Sequence, residues 1–189
     1  VTPTKAILEK AKSTHKFSSA TKVIYNGRKV TASEDVQKEN FILCMGRMWD
    51  EAKNLPLLSG IAKKLPWPVY VAGDAVNPDT GKECSVENVK FLGKLSPEEV
   101  QQWMQRAKIF VSPTKYEPFG LAILEAAGNG CALVLSEIET LKELWQEAAL
   151  FCNWLSQREG LPPFYIVENG LVTGIDIDAH GYRLPTEAE

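Results

Sequence analysis

The sequence predicts an α/β fold: a parallel sheet with helices on both of its faces. Two observations predict it. Short, solid apolar runs such as FILCM at 41–45, VYVA at 69–72 and CALVL at 131–135 have the composition of strands buried on both sides. Between those runs lie stretches whose apolar residues recur at helical spacing, and that alternation is the pattern of parallel strands joined by crossover helices.

Taken in order, residues 5–12 (KAILEKAK) predict a helix capped by Thr4. The run Val23-Ile24-Tyr25 is short and stops at the turn signal Asn26-Gly27, and the polar residues 28–40 read as a connector. The first buried strand, from Phe41 to Met45, ends at Gly46-Arg47. A helix follows, with Leu55, Leu57, Leu58, Ile61 and Ala62 apolar, and it stops near Lys63-Lys64. Val69 to Ala72 forms the second strand, closed by Gly73-Asp74. Residues 75–88 are rich in Gly, Pro, Asp and Asn and predict a loop, with a short strand at Val89 to Leu92. Ser96-Pro97-Glu98-Glu99 supplies a cap, a first-turn proline and an acidic first turn, and the helix it opens turns Val100, Trp103, Met104 and Ala107 inward. Beyond it the pattern predicts a strand at 109–111, a helix at 119–128, a strand at 131–135, a helix at 139–147 and a last short strand at Ala149-Leu150-Phe151.

A chain of 189 residues holds one ordinary domain plus a short extension. Its 44% hydrophobic and 24% charged residues exclude a disordered or fibrous class. A net charge of -3 argues against non-specific nucleic-acid binding, so an anionic ligand would have to be held by a few local cations. The four cysteines include no CxxC pair, and Cys44 and Cys131 sit in apolar runs, which reads as buried reduced thiols in a cytoplasmic setting. His15 and His180 lie far apart in unlike contexts, so a histidine metal site is not expected. No apolar stretch approaches the length of a membrane span. The opening Val1-Thr2-Pro3-Thr4 shows no signal peptide and reads as cut from something longer.

In parallel sheets ligands bind beyond the carboxyl ends of the strands, which directs attention to the loops after 45, 72, 92, 111 and 135. The loop after the strand at 109–111 carries Glu117 and Glu125, separated by seven residues. Pro118 marks a helix start, with Glu117 just outside the helix and Glu125 about two turns in. Free amides near Phe119, Gly120 and Leu121 would then offer a pocket for an anion, and Gly120 lets it approach the backbone. The flanking carboxylates suit hydroxyl groups. Arg47 and Lys53, six residues apart after the first strand, supply positive charge for phosphate oxygens. Taken alone, all four would read as solvated charges; the Gly46 turn at a strand end favours a functional reading of Arg47 and Lys53, and their motif context favours one for Glu117 and Glu125.

The segments GRMWDEAKN, VYVAGD, VKFLGKLSPEEV, IFVSPTKYEPFGLAILEAAGNGCALVLS and EIETLKELW together resemble the carboxyl-terminal domain of glycosyltransferase family 4, over roughly residues 20–152 and weakly over 1–20. The resemblance implies one Rossmann-like half of a GT-B enzyme that transfers a hexose from a nucleotide-sugar donor with retention and without metal or other cofactor. By motif, Arg47 and Lys53 would bind the donor diphosphate. Glu117 would contact the sugar as the catalytic residue, and the backbone from Phe119 through Gly120 to Leu121 would meet sugar and phosphate. Glu125 would bind the ribose, and Phe91 to Leu95 would lie near the base. The implied partners are a nucleotide-diphosphate sugar and an amino-terminal acceptor domain missing from this chain, without which donor binding but no turnover is expected. The domain plan that follows is a remnant of a preceding domain and linker at 1–40, the nucleotide-sugar-binding domain at 41–152 and an atypical tail at 153–189. The alternative is a non-catalytic nucleotide-sugar-binding or scaffold module.

Within the tail, Phe164 to Gly170 (FYIVENG) predicts a strand ending in a turn. It also resembles the strand that carries the nucleophile of family 1 glycoside hydrolases, a role that would fall on Glu168, though no partner acid motif accompanies it. The other reading is an extra hairpin on the sheet edge. Asp74 reads as a loop cap, and the five tryptophans read as packing residues, with Trp49 at the border of the cleft.

Overall fold

The structure, a computed structural model, describes residues 1–16, 19–27 and 36–182. Its centre is a five-stranded sheet of β1 (Glu39–Met45), β2 (Val69–Ala72), β3 (Lys90–Gly93), β4 (Ala107–Ser112) and β5 (Ala132–Leu135), in the order β3-β2-β1-β4-β5. Every neighbouring pair is parallel. β1 is central, and its run Phe41-Ile42-Leu43-Cys44 is buried throughout, which accounts for the absence of polar alternation in that segment.

Each face of the sheet has its own apolar cluster. On one face Phe41, Leu43 and Phe110 pack with Met104, Ile123, Ala126 and Leu141. On the other, Ile42, Cys44 and Val71 pack with Met48, Leu55 and Leu58. Burying side chains of this size stabilises the fold by about 1.5–3 kcal/mol each. The helices that supply them are α2 (Leu55–Ala62), α3 (Pro97–Arg106), α4 (Leu121–Gly128) and α5 (Glu139–Arg158), after α1 (Lys5–Thr14). α3 opens on a full capping box between Ser96 and Glu99, as its sequence predicts.

Three expectations are corrected. Residues 149–151 are not a strand: α5 runs unbroken through them for 20 residues. Nothing between 139 and 158 is Gly or Pro, and Leu141, Ala149, Asn153 and Ser156 form one buried stripe at helical spacing. A short apolar run does not by itself distinguish strand from helix. α5 therefore crosses the 152/153 boundary of the expected domain plan. Next, α4 starts at Leu121, not at Pro118, because Gly120 sits at φ +87, outside helical space, and serves as the N-cap. That places Glu125 one turn into the helix. Finally, the tail hairpin of β6 (Tyr165–Glu168) and β7 (Leu171–Ile175) forms a separate antiparallel sheet, turned at Asn169-Gly170 and packed on α5 instead of the main sheet edge.

The amino-terminal segment also rests on α5. Glu143 accepts the amides of Lys5 and Ala6 at 2.8 Å, the orphan donors at the start of α1, and the Tyr25 hydroxyl at 2.8 Å. Val23, in the short apolar run before the Asn26-Gly27 turn, makes a single parallel bridge to Thr2. Of the expected connector at 28–40, residues 28–35 lie outside the described residues and 39–40 begin β1. Just before β1, the Lys38 ammonium donates to the carbonyls of Met104, Ala107 and Asn129 at 3.2, 3.0 and 2.6 Å. These lie at the carboxyl ends of α3 and α4, where a cation offsets the helix dipoles. Burial nonetheless pulls its pKa below the ordinary lysine value.

Candidate functional site

The strand order reverses direction between β1 and β4, so the loops after these two strands flank the crevice where such sheets bind ligands. After β1 the chain leaves through Gly46 and forms a 3-10 turn at Glu51–Lys53, capped by Asp50, whose carboxylate accepts the Ala52 amide at 2.9 Å. After β4 comes the loop 113–120. Three hydrogen bonds fasten the two loops together: Asn54 Nδ2 to the Pro113 carbonyl (3.0 Å), and both the Thr114 hydroxyl (2.7 Å) and the Lys115 amide (2.8 Å) to the Ala52 carbonyl.

The fastened loops bring Lys53 and Glu117 together. Lys53 Nζ lies 2.7 Å from Glu117 Oε2, with side chains only 18% and 19% exposed, so this ion pair is shielded from solvent more than an ordinary surface pair. Glu117 Oε1 accepts the Gly120 amide at 3.0 Å. One amide of the expected anion pocket is therefore already held by a carboxylate. The Glu117 carbonyl accepts the Thr140 hydroxyl from the start of α5 at 2.6 Å, which fixes the loop from a third side.

Beside this pair, Gly46 and Gly73 let the ends of β1 and β2 approach closely. A Cβ on Gly73 would stand 1.7 Å from the Gly46 carbonyl oxygen, and one on Gly46 would meet the Lys53 stem at 3.0 Å. The opening they leave is a cavity of about 200 Å³, lined by Gly46, Gly73, Lys94, Leu95, Ala122 and Glu125. On the other face of β1 the Cys44 thiol is buried in the second apolar cluster, and burial pushes its pKa up to about 12 against the opposing pull of Lys53, so it stays a neutral packing group.

The structure thus joins Lys53 to Glu117 and sets Glu125 in the adjoining cavity with Leu95. Arg47 is not drawn into that cavity: its guanidinium pairs with Asp50 at 3.0 Å, lies 5.4 Å from the Trp49 ring centroid and is 67% exposed. Trp49 and Asp50 border a wider hollow of about 510 Å³ against Asn77, Thr80 and Glu83. Phe119 and Gly120 line a different, apolar cavity of about 250 Å³ between α4 and α5, with Leu141, Leu144 and Trp145. Leu121 is partly exposed at the start of α4. Asp74 acts through its backbone, its carbonyl accepting the Met48 amide at 2.7 Å. Glu168 is exposed on the small hairpin, and the described strands form no barrel around it. Among the described residues, no group of three or more His, Cys, Asp or Glu side chains could hold a metal ion, and no helix is long and apolar enough to cross a membrane.

Residues 39–159 match the family model described as Glycosyl transferases group 1. The chain is 32% identical over 104 residues to the phosphatidyl-myo-inositol mannosyltransferase of Propionibacterium freudenreichii, covering 54% of this chain and 27% of that protein. It is 28% identical over 156 residues to the O-antigen chain mannosyltransferase RfbU of Salmonella typhimurium, covering 76% of this chain and 43% of that one. The chain therefore spans less than half the length of these curated relatives. Among solved structures, a TarM variant from S. aureus in complex with fondaparinux, α-GlcNAc-glycerol and UDP shares the fold with a TM-score of 0.59 at 22% identity, over 73% of this chain and 29% of that one.

Proposed function

The chain belongs to the glycosyl transferases group 1 family, and from that premise we propose that it is the donor-binding half of a retaining enzyme of glycosyltransferase family 4. The reaction moves a hexose from a nucleotide-diphosphate sugar to an acceptor held by an amino-terminal domain outside these residues. The observation that carries this reading is the Lys53–Glu117 pair, set at the β1/β4 crevice beside the cavity that Glu125 lines. A cation suited to phosphate and two carboxylates suited to hydroxyls near one crevice support a ligand made of a sugar, a diphosphate and a ribose.

Each group has a defined role in this reading. Lys53, with Arg47 released from Asp50, takes the diphosphate and offsets the charge that grows on it as the glycosidic bond breaks, which needs no metal. Glu117 accepts hydrogen bonds from the sugar and stabilises the positive charge that develops on its ring. Glu125 holds the ribose, the residues from Phe91 to Leu95 meet the base, and the backbone from Phe119 to Leu121 borders sugar and phosphate. That the TarM structure sharing this fold holds UDP supports a nucleoside diphosphate as the ligand class. Four unpaired cysteines support a cytoplasmic setting.

Calorimetric titration with nucleoside diphosphates tests the assignment. Arg47→Ala and Glu125→Ala each weaken binding by about 1–3 kcal/mol, the cost of losing a charged hydrogen bond. Unchanged affinity in both variants would remove the reading.

A further inference from the structure

Lys53 and Glu117 meet across two loops that are 64 residues apart in sequence, and Lys53 carries a flexible four-carbon stem. Their 2.7 Å contact therefore depends on how the backbone before each of them is held. Both stretches converge on one hydroxyl. Thr114 is 1% exposed, and its Oγ1 lies 2.7 Å from the Ala52 carbonyl and 2.8 Å from the Tyr116 carbonyl. Ala52 immediately precedes Lys53, and Tyr116 immediately precedes Glu117. A threonine hydroxyl has one proton to donate, so it is shared between the two carbonyls and ties the two peptide planes to a single point.

We propose that Thr114 is the positioning residue that keeps Lys53 and Glu117 in register for the donor diphosphate and its sugar, an inference that rests on the donor-site reading above. Valine has the same branched shape without the hydroxyl. In Thr114→Val the Ala52 carbonyl keeps its bond from the Lys115 amide, and the Tyr116 carbonyl loses the Thr114 donor. The loop-to-loop bonds from Lys115 and Asn54 remain and are expected to keep the fold, while the shared tie between the peptides that precede Lys53 and Glu117 is lost. Thr114→Ser restores the hydroxyl.

Two measurements test the proposal. The first needs no ligand: Tm values for Lys53→Met, Glu117→Gln and the double variant, in the parent and in the Thr114→Val and Thr114→Ser backgrounds. With the hydroxyl present, the double variant loses less than the sum of the single losses, because the pair is broken only once. With Thr114→Val the losses add. Non-additivity that survives Thr114→Val overturns the proposal. The second compares a nucleoside monophosphate with its diphosphate by calorimetry. Thr114→Val weakens the diphosphate about tenfold, the order expected when a charge-assisted hydrogen bond to phosphate is weakened, and leaves the monophosphate within about twofold; Thr114→Ser recovers the parent value. Equal weakening of both ligands shows a general structural role and also overturns the proposal. A parent chain that binds neither nucleotide removes the donor-site reading, and the ligand-free Tm comparison alone then decides whether Thr114 sets the pair.

Discussion

At the residue scale the site is shaped by what is left out as much as by what is present. Gly73 leaves room for the Gly46 carbonyl, and its φ of +131 lies where side-chain-bearing residues are strained. Gly73→Ala is expected to lose more than about 2 kcal/mol in urea unfolding, from strain and overlap together. Gly60, inside α2 with nothing within 4 Å of a would-be Cβ, is the control, and Gly60→Ala gains up to about 1 kcal/mol from helix propensity. A Gly73→Ala protein as stable as its parent would contradict the close approach of β1 and β2. The loops that bring Lys53 to Glu117 can be singled out in the sequence because they follow strand ends, whereas the pairing of Arg47 with Asp50, away from the cavity that Glu125 lines, cannot. Nor can Thr114 and Thr140: each acts through its hydroxyl on a backbone carbonyl supplied by another loop or helix, and no spacing rule records that. Lys38 was hidden for the same reason, since its three carbonyl partners lie 66 to 91 residues away.

Single elements were legible where length and punctuation agreed. The strands at 41–45 and 69–72 are bounded by glycine, and α3 carries its cap and its proline in the sequence, so each was placed to within a few residues. α5 was cut short because AALFC satisfies a buried strand and a helical stripe equally well, and only packing against α4 and the hairpin decides between them. The start of α4 was misplaced because a proline at 118 suggests a first turn, while the amide of Gly120 is captured by Glu117 first. The hairpin depends on the corrected α5. Asn153, buried on that helix, donates to the Tyr165 carbonyl at 2.6 Å and accepts the Tyr165 amide at 3.0 Å. A two-stranded hairpin is marginal by itself. Asn153→Ala should therefore raise amide exchange across β6 and β7 by about tenfold or more, for a loss of about 1–3 kcal/mol at an emptied buried site. Exchange in β1 and β4 should not change. Unaltered protection at Tyr165 would show that the hairpin is held by something else.

At the scale of the whole molecule, the strand order β3-β2-β1-β4-β5 explains why the candidate site lies at the carboxyl end of the sheet's centre. It sets the loops after β1 and β4 side by side, and those loops carry Lys53 and Glu117. The parallel sheet followed directly from the solid apolar runs, but the strand order does not follow from periodicity, which is blind to which strands are neighbours. The amino-terminal segment and the hairpin both pack on α5, so that one long helix connects the ends of the described chain to the sheet. The chain spans less than half the length of these curated relatives, and ligand binding is the property of the proposed donor site to measure in it. The most direct test is a calorimetric titration of the chain with UDP, GDP and ADP, followed by their glucose and mannose conjugates. The account predicts saturable binding of one nucleoside diphosphate, strengthened by its sugar conjugate. Binding of none of these ligands, by a chain shown to be folded, would contradict it.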